Sequence, residues 1–467
     1  MLKFEILMKK RWFLLIVFIL PFIVQAQKQP SVMNNVKENT VPWSLNANIY
    51  EVNIRQYTPE GTFNAFAKHL PRLKAMGVDI LWFMPVYPIG RLNRKGSMGS
   101  YYSISDYQAV NPEYGTMDDF DDLVKEAHSL GMHVILDWVA NHTAFDHVWT
   151  KTHPDWYNRD STGNISVPRD NNGNLTDWTD VADLNYDNAE MRKEIIREML
   201  FWTEQHHVDG FRCDIAGFVP LDFWQQCKAE LDQHGNYFML AEDESPEFHK
   251  NAFDMTYAWK IHHKMVDVAQ GRDNAIGLAK VIEEDQKLFP KDAYRMLFID
   301  NHDENSWQGT VKSRFGKGYQ TFAVLVYTLP GMPLMYSGQE SNLDKSLRFF
   351  EKDTINFKDF PLAKFYTALN TLKHRHPALA NGAAGGSFTL ISNTQPEQIL
   401  SFARNTDKDK IVVMVNLSDR FYRIQLKGNN TFVPGNYFEY FSEKEVELNY
   451  QQSLDLGPWD YKIFIKK

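Results

Sequence analysis

The chain has 467 residues, 43% of them hydrophobic and 14% aromatic, with 50 Lys and Arg against 59 Asp and Glu for a formal net charge of −9. This length implies more than one domain or a large barrel with additions. An acidic chain repels phosphate backbones, which argues against nucleic acid as a partner, while a neutral polymer needs no charge bias.

At the N-terminus Lys9, Lys10 and Arg11 precede an apolar run over residues 12–24, broken only by Pro21. Val24-Gln25-Ala26 then offers a small-residue cleavage pattern, with Gln27 as the mature start. The run is short for crossing ~30 Å of hydrocarbon, so a signal peptide over 1–26 is favoured over a membrane anchor. The mature protein is expected in the periplasm or outside the cell, with no cysteine near the cut to carry a lipid. The two cysteines, Cys213 and Cys227, are expected to be free and buried, a bridge between them being the alternative.

From residue 48 short apolar runs alternate with amphipathic stretches. Residues 48–57, 80–84, 133–138, 210–214, 237–241, 253–257, 295–299 and 332–336 read as strands. Residues 118–130, 189–205, 221–233, 275–288 and 363–373 read as helices. This alternation predicts an α/β protein built on a (β/α)₈ barrel over 43–142 and 187–379. A segment rich in Asp, Asn, Gly and Trp interrupts it at 143–186, a domain B inserted after the third strand. After Pro377 the pattern changes to β-type runs with turn residues between them, which predicts an antiparallel β-sandwich over 386–467.

Catalysis in such a barrel sits at the C-terminal strand ends. Those ends carry Asp137 and Asn141-His142, Arg212 and Asp214, Glu242-Asp243, and Asp300-Asn301-His302-Asp303. Each has a structural reading: Asp137 as a cap, Arg212 with Asp214 as an ion pair, His142 and His302 as core histidines. Gathered at one barrel mouth, they point instead to a site. Glycoside hydrolysis with retention needs a nucleophilic and an acid/base carboxyl about 5–5.5 Å apart. Arg212 lies two residues before Asp214 and shares its strand face, which favours the ionised nucleophile. Glu242, next to a second carboxylate on the neighbouring strand, suits the acid/base role.

These residues also form ordered motifs. Asp137 to His142 is Asp-x-x-x-Asn-His, Gly210 to Asp214 is Gly-Phe-Arg-x-Asp, Glu242 follows, and Asn301-His302-Asp303 closes the series. Ala182-Asp183-Leu184-Asn185 and the stretch from Gly331-Met332-Pro333 to Gly338-Gln339-Glu340 add two more. In this the chain resembles the α-amylase family, glycoside hydrolase family thirteen, over nearly the whole length from Trp43. The resemblance implies Asp214 as nucleophile, Glu242 as acid/base and Asp303 as transition-state stabiliser. It implies that Tyr102 stacks on the sugar at the cleaved bond and that His142, Arg212 and His302 contact it. It further implies a structural calcium held by Asn141, Asp183 and the carbonyl of Phe218, oxygen ligands of the kind calcium takes.

One departure concerns the leaving-group side. Where many relatives carry Lys-His, this chain has Gly217 and Phe218. Recognition there is expected to rest on apolar stacking and domain B loops, with Gly217 leaving space that a lysine would fill. The expected substrate is a starch-like α-glucan or maltooligosaccharide cut at α-1,4 bonds. The alternatives are an α-glucosidase, maltodextrin-degrading enzyme or glucanotransferase of the same family, and, against the retained carboxylates, a non-catalytic glycan-binding relative.

Overall fold

A computed structural model describes residues 41–467 apart from Asn171, Asn429 and Asn430. The signal-peptide reading lies outside the described residues.

Eight parallel strands close a barrel. In chain order they are β1 (Ile49–Val52), β2 (Ile80–Phe83), β3 (His133–Trp138), and, after β4 (His142–Ala144) and β5 (Val181–Asp183) of domain B, β6 (Gly210–Cys213), β7 (Phe238–Ala241), β8 (Met255–Tyr257), β9 (Tyr294–Leu297) and β10 (Met332–Tyr336). The long apolar run at 48–57 gives only a four-residue strand, because the chain turns at Asn53 into the short helix Ile54–Tyr57. Side chains alternate along each strand. One set, including Ile49, Ile80, Ile135, Leu240, Met255, Met296 and Leu334, fills the barrel interior as its own cluster. The opposite set, including Leu81, Leu136, Phe211 and Met239, packs against the surrounding helices. Loop side chains start those helices: Thr116 and Asp119 form a capping box before Met117–Ser129, and Asn188 and Asn274 cap Ala189–Glu204 and Ala275–Leu288.

Strand register sets the height of the polar residues at the barrel mouth. Asp137 pairs with Arg212 and Cys213 pairs with Ala241. The next residues, Asp214 and Glu242, therefore emerge side by side.

Domain B leaves the barrel after β3. Its antiparallel pair β4–β5 sets His142 opposite Asp183. Beyond residue 386 the chain forms a six-stranded antiparallel sheet facing a three-stranded one. Ile399, Val412, Ile424, Tyr437, Leu456 and Phe464 fill the space between them. Both cysteines are free and buried. Among the described residues no helix is long and apolar enough to cross a membrane.

Candidate active site

The site is organised around one guanidinium. Arg212 is fully buried on β6, facing the barrel axis. Its Nη1 donates to Asp137 Oδ1 at 2.7 Å and to Asp214 Oδ1 at 3.0 Å. Its Nε donates to the hydroxyl of Tyr257 at 3.1 Å. Its Nη2 stands 2.8 Å from Glu242 Oε2, an ion pair without hydrogen-bond alignment. Three carboxyl groups from three strands thus converge on one cation, as expected of charge-assisted contacts held by a rigid fork.

The backbone after the nucleophile candidate is unusual. Ile215 has φ 36° and ψ 48°, a left-handed conformation that a β-branched residue rarely adopts. This turn aims the Ile215 N–H at Glu242 Oε2, 2.8 Å away. Strain at one residue is thereby tied to the placement of the neighbouring carboxyl.

A second chain of contacts runs through His302. Its Nδ1 lies 2.6 Å from Glu51 Oε1 and its Nε2 lies 2.8 Å from the Tyr102 hydroxyl and 3.3 Å from Asp303 Oδ2. Burial lowers the His302 pKa, but Asp303 and Glu51 override it and hold the imidazole well above its ordinary value. The cationic ring donates from both nitrogens, leaving the Tyr102 O–H to donate to Asp137 Oδ2 at 3.2 Å. His142 is the opposite case: burial pushes it down to about 3, so it is neutral.

Burial raises Asp137 to about 6 against the pull of Arg212. Burial also raises Asp214 well above the ordinary carboxylate range; Arg212 opposes this, and Glu242, Asp137 and Asp303 reinforce it. Arg212 thus favours the ionised Asp214 in the expected direction, but burial outweighs it, and the guanidinium is shared among three carboxyls. Burial would raise Asp303 too, yet His302 holds it below the ordinary value. Five carboxyls (Glu51, Asp137, Asp214, Glu242, Asp303) face two cations (Arg212, His302). Burial thus raises Glu51, Asp137 and Asp214, while His302 holds Asp303 low.

These groups open onto a cleft of about 320 Å³ lined by Tyr102, His142, Asp214, Glu242, His302 and Asp303. Domain B contributes Trp178, whose ring stacks on Phe218 at 5.9 Å and leans on His142 at 6.0 Å. On the opposite flank Phe349 stacks parallel to Tyr102 at 6.2 Å and carries Trp307 at 5.3 Å. Gly217 does not leave open space: a Cβ there would stand 2.2 Å from Asp243 Oδ2. The space expected for a lysine is occupied by Asp243, whose Oδ1 accepts from Ser245 N at 2.6 Å.

Asn141 and Asp183 meet at the base of domain B, where Leu184 N donates to Asn141 O at 3.1 Å. Asp183 accepts from the Asn158 amide at 2.7 Å. Burial raises it to about 6, against the opposing hydrogen bond from Asn158 and the charge of Arg169. No group of three or more His, Cys, Asp or Glu among the described residues is arranged to hold a metal. The carboxylate of Asp183 and the amide oxygen of Asn141 are nevertheless the oxygen types that a hard cation accepts.

Sequence reasoning missed Glu51, Trp82, Tyr257, Trp178, Phe349 and Trp307. Glu51 had a visible signal, a lone acid inside the apolar run of β1. Trp82, whose indole N–H reaches Asp137 Oδ2 at 3.2 Å, reads as an ordinary core residue.

The family model for the α-amylase catalytic domain matches residues 30–378. The α-amylase MalA of Haloarcula japonica is 27% identical over 80% of this chain, which spans 56% of MalA's length. α-Amylase 3 of Dictyoglomus thermophilum is 27% identical, covering 90% of this chain and 93% of its own. Among solved structures, a noncanonic maltogenic α-amylase, AmyB, from Thermotoga neapolitana superposes with a TM-score of 0.82 at 30% identity, over 90% of this chain and 98% of its own. An α-amylase from Lactobacillus plantarum gives a TM-score of 0.80 at 28% identity, over 91% and 100%.

Proposed function

Because the chain belongs to the α-amylase family of glycoside hydrolases, we propose that it hydrolyses α-1,4-glucosidic bonds of starch-like glucans or maltooligosaccharides with retention of configuration. The observation that carries this reading is the convergence of Asp214 and Glu242 from adjacent strands on Arg212, at 3.0 and 2.8 Å. Two carboxyls sharing one guanidinium are the close pair that a retaining mechanism uses.

Asp214 attacks the anomeric carbon while Glu242 protonates the departing oxygen. Glu242 then takes a proton from water, whose oxygen displaces Asp214 from the same carbon. Asp303 holds sugar hydroxyls and favours the flattened, oxocarbenium-like ring. Arg212 offsets charge on Asp214, and His142, His302 and Tyr102 fix the sugar's orientation. A proton NMR time course on maltooligosaccharides tests the reading: the α-anomer appears first. Initial release of the β-anomer overturns it. Asp214→Asn keeps the side-chain shape, so hydrolysis falls by several orders of magnitude with binding largely kept.

Two further proposals accompany this one. A calcium ion held by Asn141, Asp183 and the Phe218 carbonyl ties domain B to the barrel, supported by the burial of Asp183, which keeps its carboxyl raised despite Asn158 and Arg169. The N-terminal sequence directs export, supported by the basic cluster and apolar run before Ala26. Edman sequencing of the mature protein is expected to begin at Gln27.

A further inference from the structure

The excursion between Ile89 and Ile104 is pinned at both ends of its span. An isolated bridge between these two residues closes its base. Arg94 binds its own loop, donating to Gly90 O at 2.9 Å and Ile89 O at 3.0 Å. On one side the loop grips domain B: the N–H groups of Arg91 and Leu92 donate to Asp146 Oδ2 at 2.8 and 3.2 Å, and Lys95 Nζ donates to Asp177 O at 2.9 Å. On the other side it grips the loop after β10: Met98 N donates to Phe350 O at 3.1 Å and Ser97 N to Glu351 Oε1 at 3.0 Å. Gly96 has φ +64° and lies so close that a Cβ would stand 2.5 Å from Phe350 Cβ. The segment is a strap joining the two flanks of the cleft.

Its place follows from the direction of the reaction. Attack occurs at C1 of the donor sugar, whose O4 leads toward the non-reducing end. The leaving group carries the reducing end and departs past Glu242, toward Ile215 and Phe218. Tyr102, His302 and Asp303 flank the donor sugar, and the wall formed by Phe349, Phe350 and Trp307 continues outward from Tyr102. The strap closes on Phe350 and Glu351 of that wall and reaches Asp177 and Asp180 of domain B through Lys95, so it crosses the cleft from the donor wall.

The strap also presents polar groups to the cleft. Lys95 and Asp180 both line it, 3.5 Å apart. Asp180 is 3% exposed, and its Oδ2 has no hydrogen-bond partner among the described residues. Asp180 Oδ1 is the oxygen that faces the lysine, and the buried carboxylate thereby holds Lys95 at the rim of the cleft.

We propose that the strap of residues 90–99, with Lys95 and Asp180 at its inner face, blocks the donor end of the cleft and restricts the enzyme to cutting short units from the non-reducing end of α-glucan chains. The proposal rests on the α-glucan hydrolase reading and specifies which bond is cut.

The test uses maltoheptaose labelled at its reducing end, with amylose viscosity followed in parallel. At early conversion the expected products are unlabelled oligosaccharides of one short length and one longer labelled remainder. Viscosity then falls slowly for each reducing end released. Labelled fragments of many lengths from the outset, with rapid viscosity loss, overturn the proposal while leaving the hydrolase reading intact. No cleavage of any α-1,4 substrate overturns the hydrolase reading itself. Freeing the strap with Lys95→Met plus Glu351→Ala, or lifting it with the single change Gly96→Ala, is expected to raise internal over terminal cutting at least about tenfold. An unchanged product pattern in active strap variants overturns the strap's role.

Discussion

His302 Nδ1 lies 2.6 Å from Glu51 Oε1, so a histidine at the end of one strand is held by an acid buried in another, 251 residues away in sequence. Glu51 and Asp303 together keep the ring cationic despite its burial. Because the folded value is raised, the pair's contribution to stability is fully present below the unfolded value of about 6.5 and is lost as pH rises through the folded value. Glu51→Gln removes one of the two supporting charges. The alkaline limb of kcat/KM is expected to move down by about one pH unit or more. An NMR titration of the His302 ring should move with it; a limb that stays in place refutes the coupling.

Glu242→Gln separates the two half-reactions. Natural substrates need protonation of the leaving oxygen and are expected to lose several orders of magnitude in rate. A glycosyl fluoride needs little protonation, so it still reacts, and a glycosyl ester then accumulates on Asp214 for want of a base. Intact-protein mass spectrometry reads the added sugar mass. Equal loss on both substrates, with no adduct, removes Glu242 from the acid/base role.

Asp183 supplies a pH signature for calcium. Its folded pKa is raised to about 6 from 3.8, so between these values the folded state binds more protons and stability falls as pH rises. The chelated protein is expected to lose melting temperature from about pH 4 to about pH 7. Calcium should restore it at the upper end and do little at the lower, where the carboxyl is protonated. Asp183→Asn should flatten both dependences. A calcium-independent melting temperature at neutral pH, with no metal by elemental analysis, contradicts the site.

Trp178 and Phe218 stack at 5.9 Å beside the leaving-group exit. Removing the indole with Trp178→Ala is expected to raise KM for long acceptors roughly three- to tenfold, the scale of one aromatic contact. Gly217→Lys must first displace Asp243 from its bond to Ser245 N. Combined with Phe218→His it should alter product lengths more than the rate on a short activated substrate. Unchanged product lengths place these residues outside the cleft's function.

Local patterns carried much of the reading. The strand–helix alternation follows from short apolar runs and amphipathic periods, and the runs 133–138 and 332–336 are strands with those bounds. Asp137, Arg212, Asp214, Glu242 and Asp303 were legible because polar residues at successive strand ends have one common destination in a parallel barrel. The first strand was read too long, since Asn53 turns the backbone into a helix whose residues are as buried as the strand's. Gly217 was misread because its neighbour in space, Asp243, comes from another strand.

The sequence by itself thus determined the barrel, the inserted and C-terminal β units, and which acids stand at the barrel mouth, because these depend on periodicity and order along the chain. Tertiary structure alone decided how Arg212 divides itself among three carboxyls, that Glu51 charges His302, and that residues 90–99 bridge domain B to the loop at Phe350. Apart from the Arg212–Asp214 pair, those relationships join segments tens to hundreds of residues apart. Strand register and loop contact set them, and neither leaves a repeating mark in the local sequence.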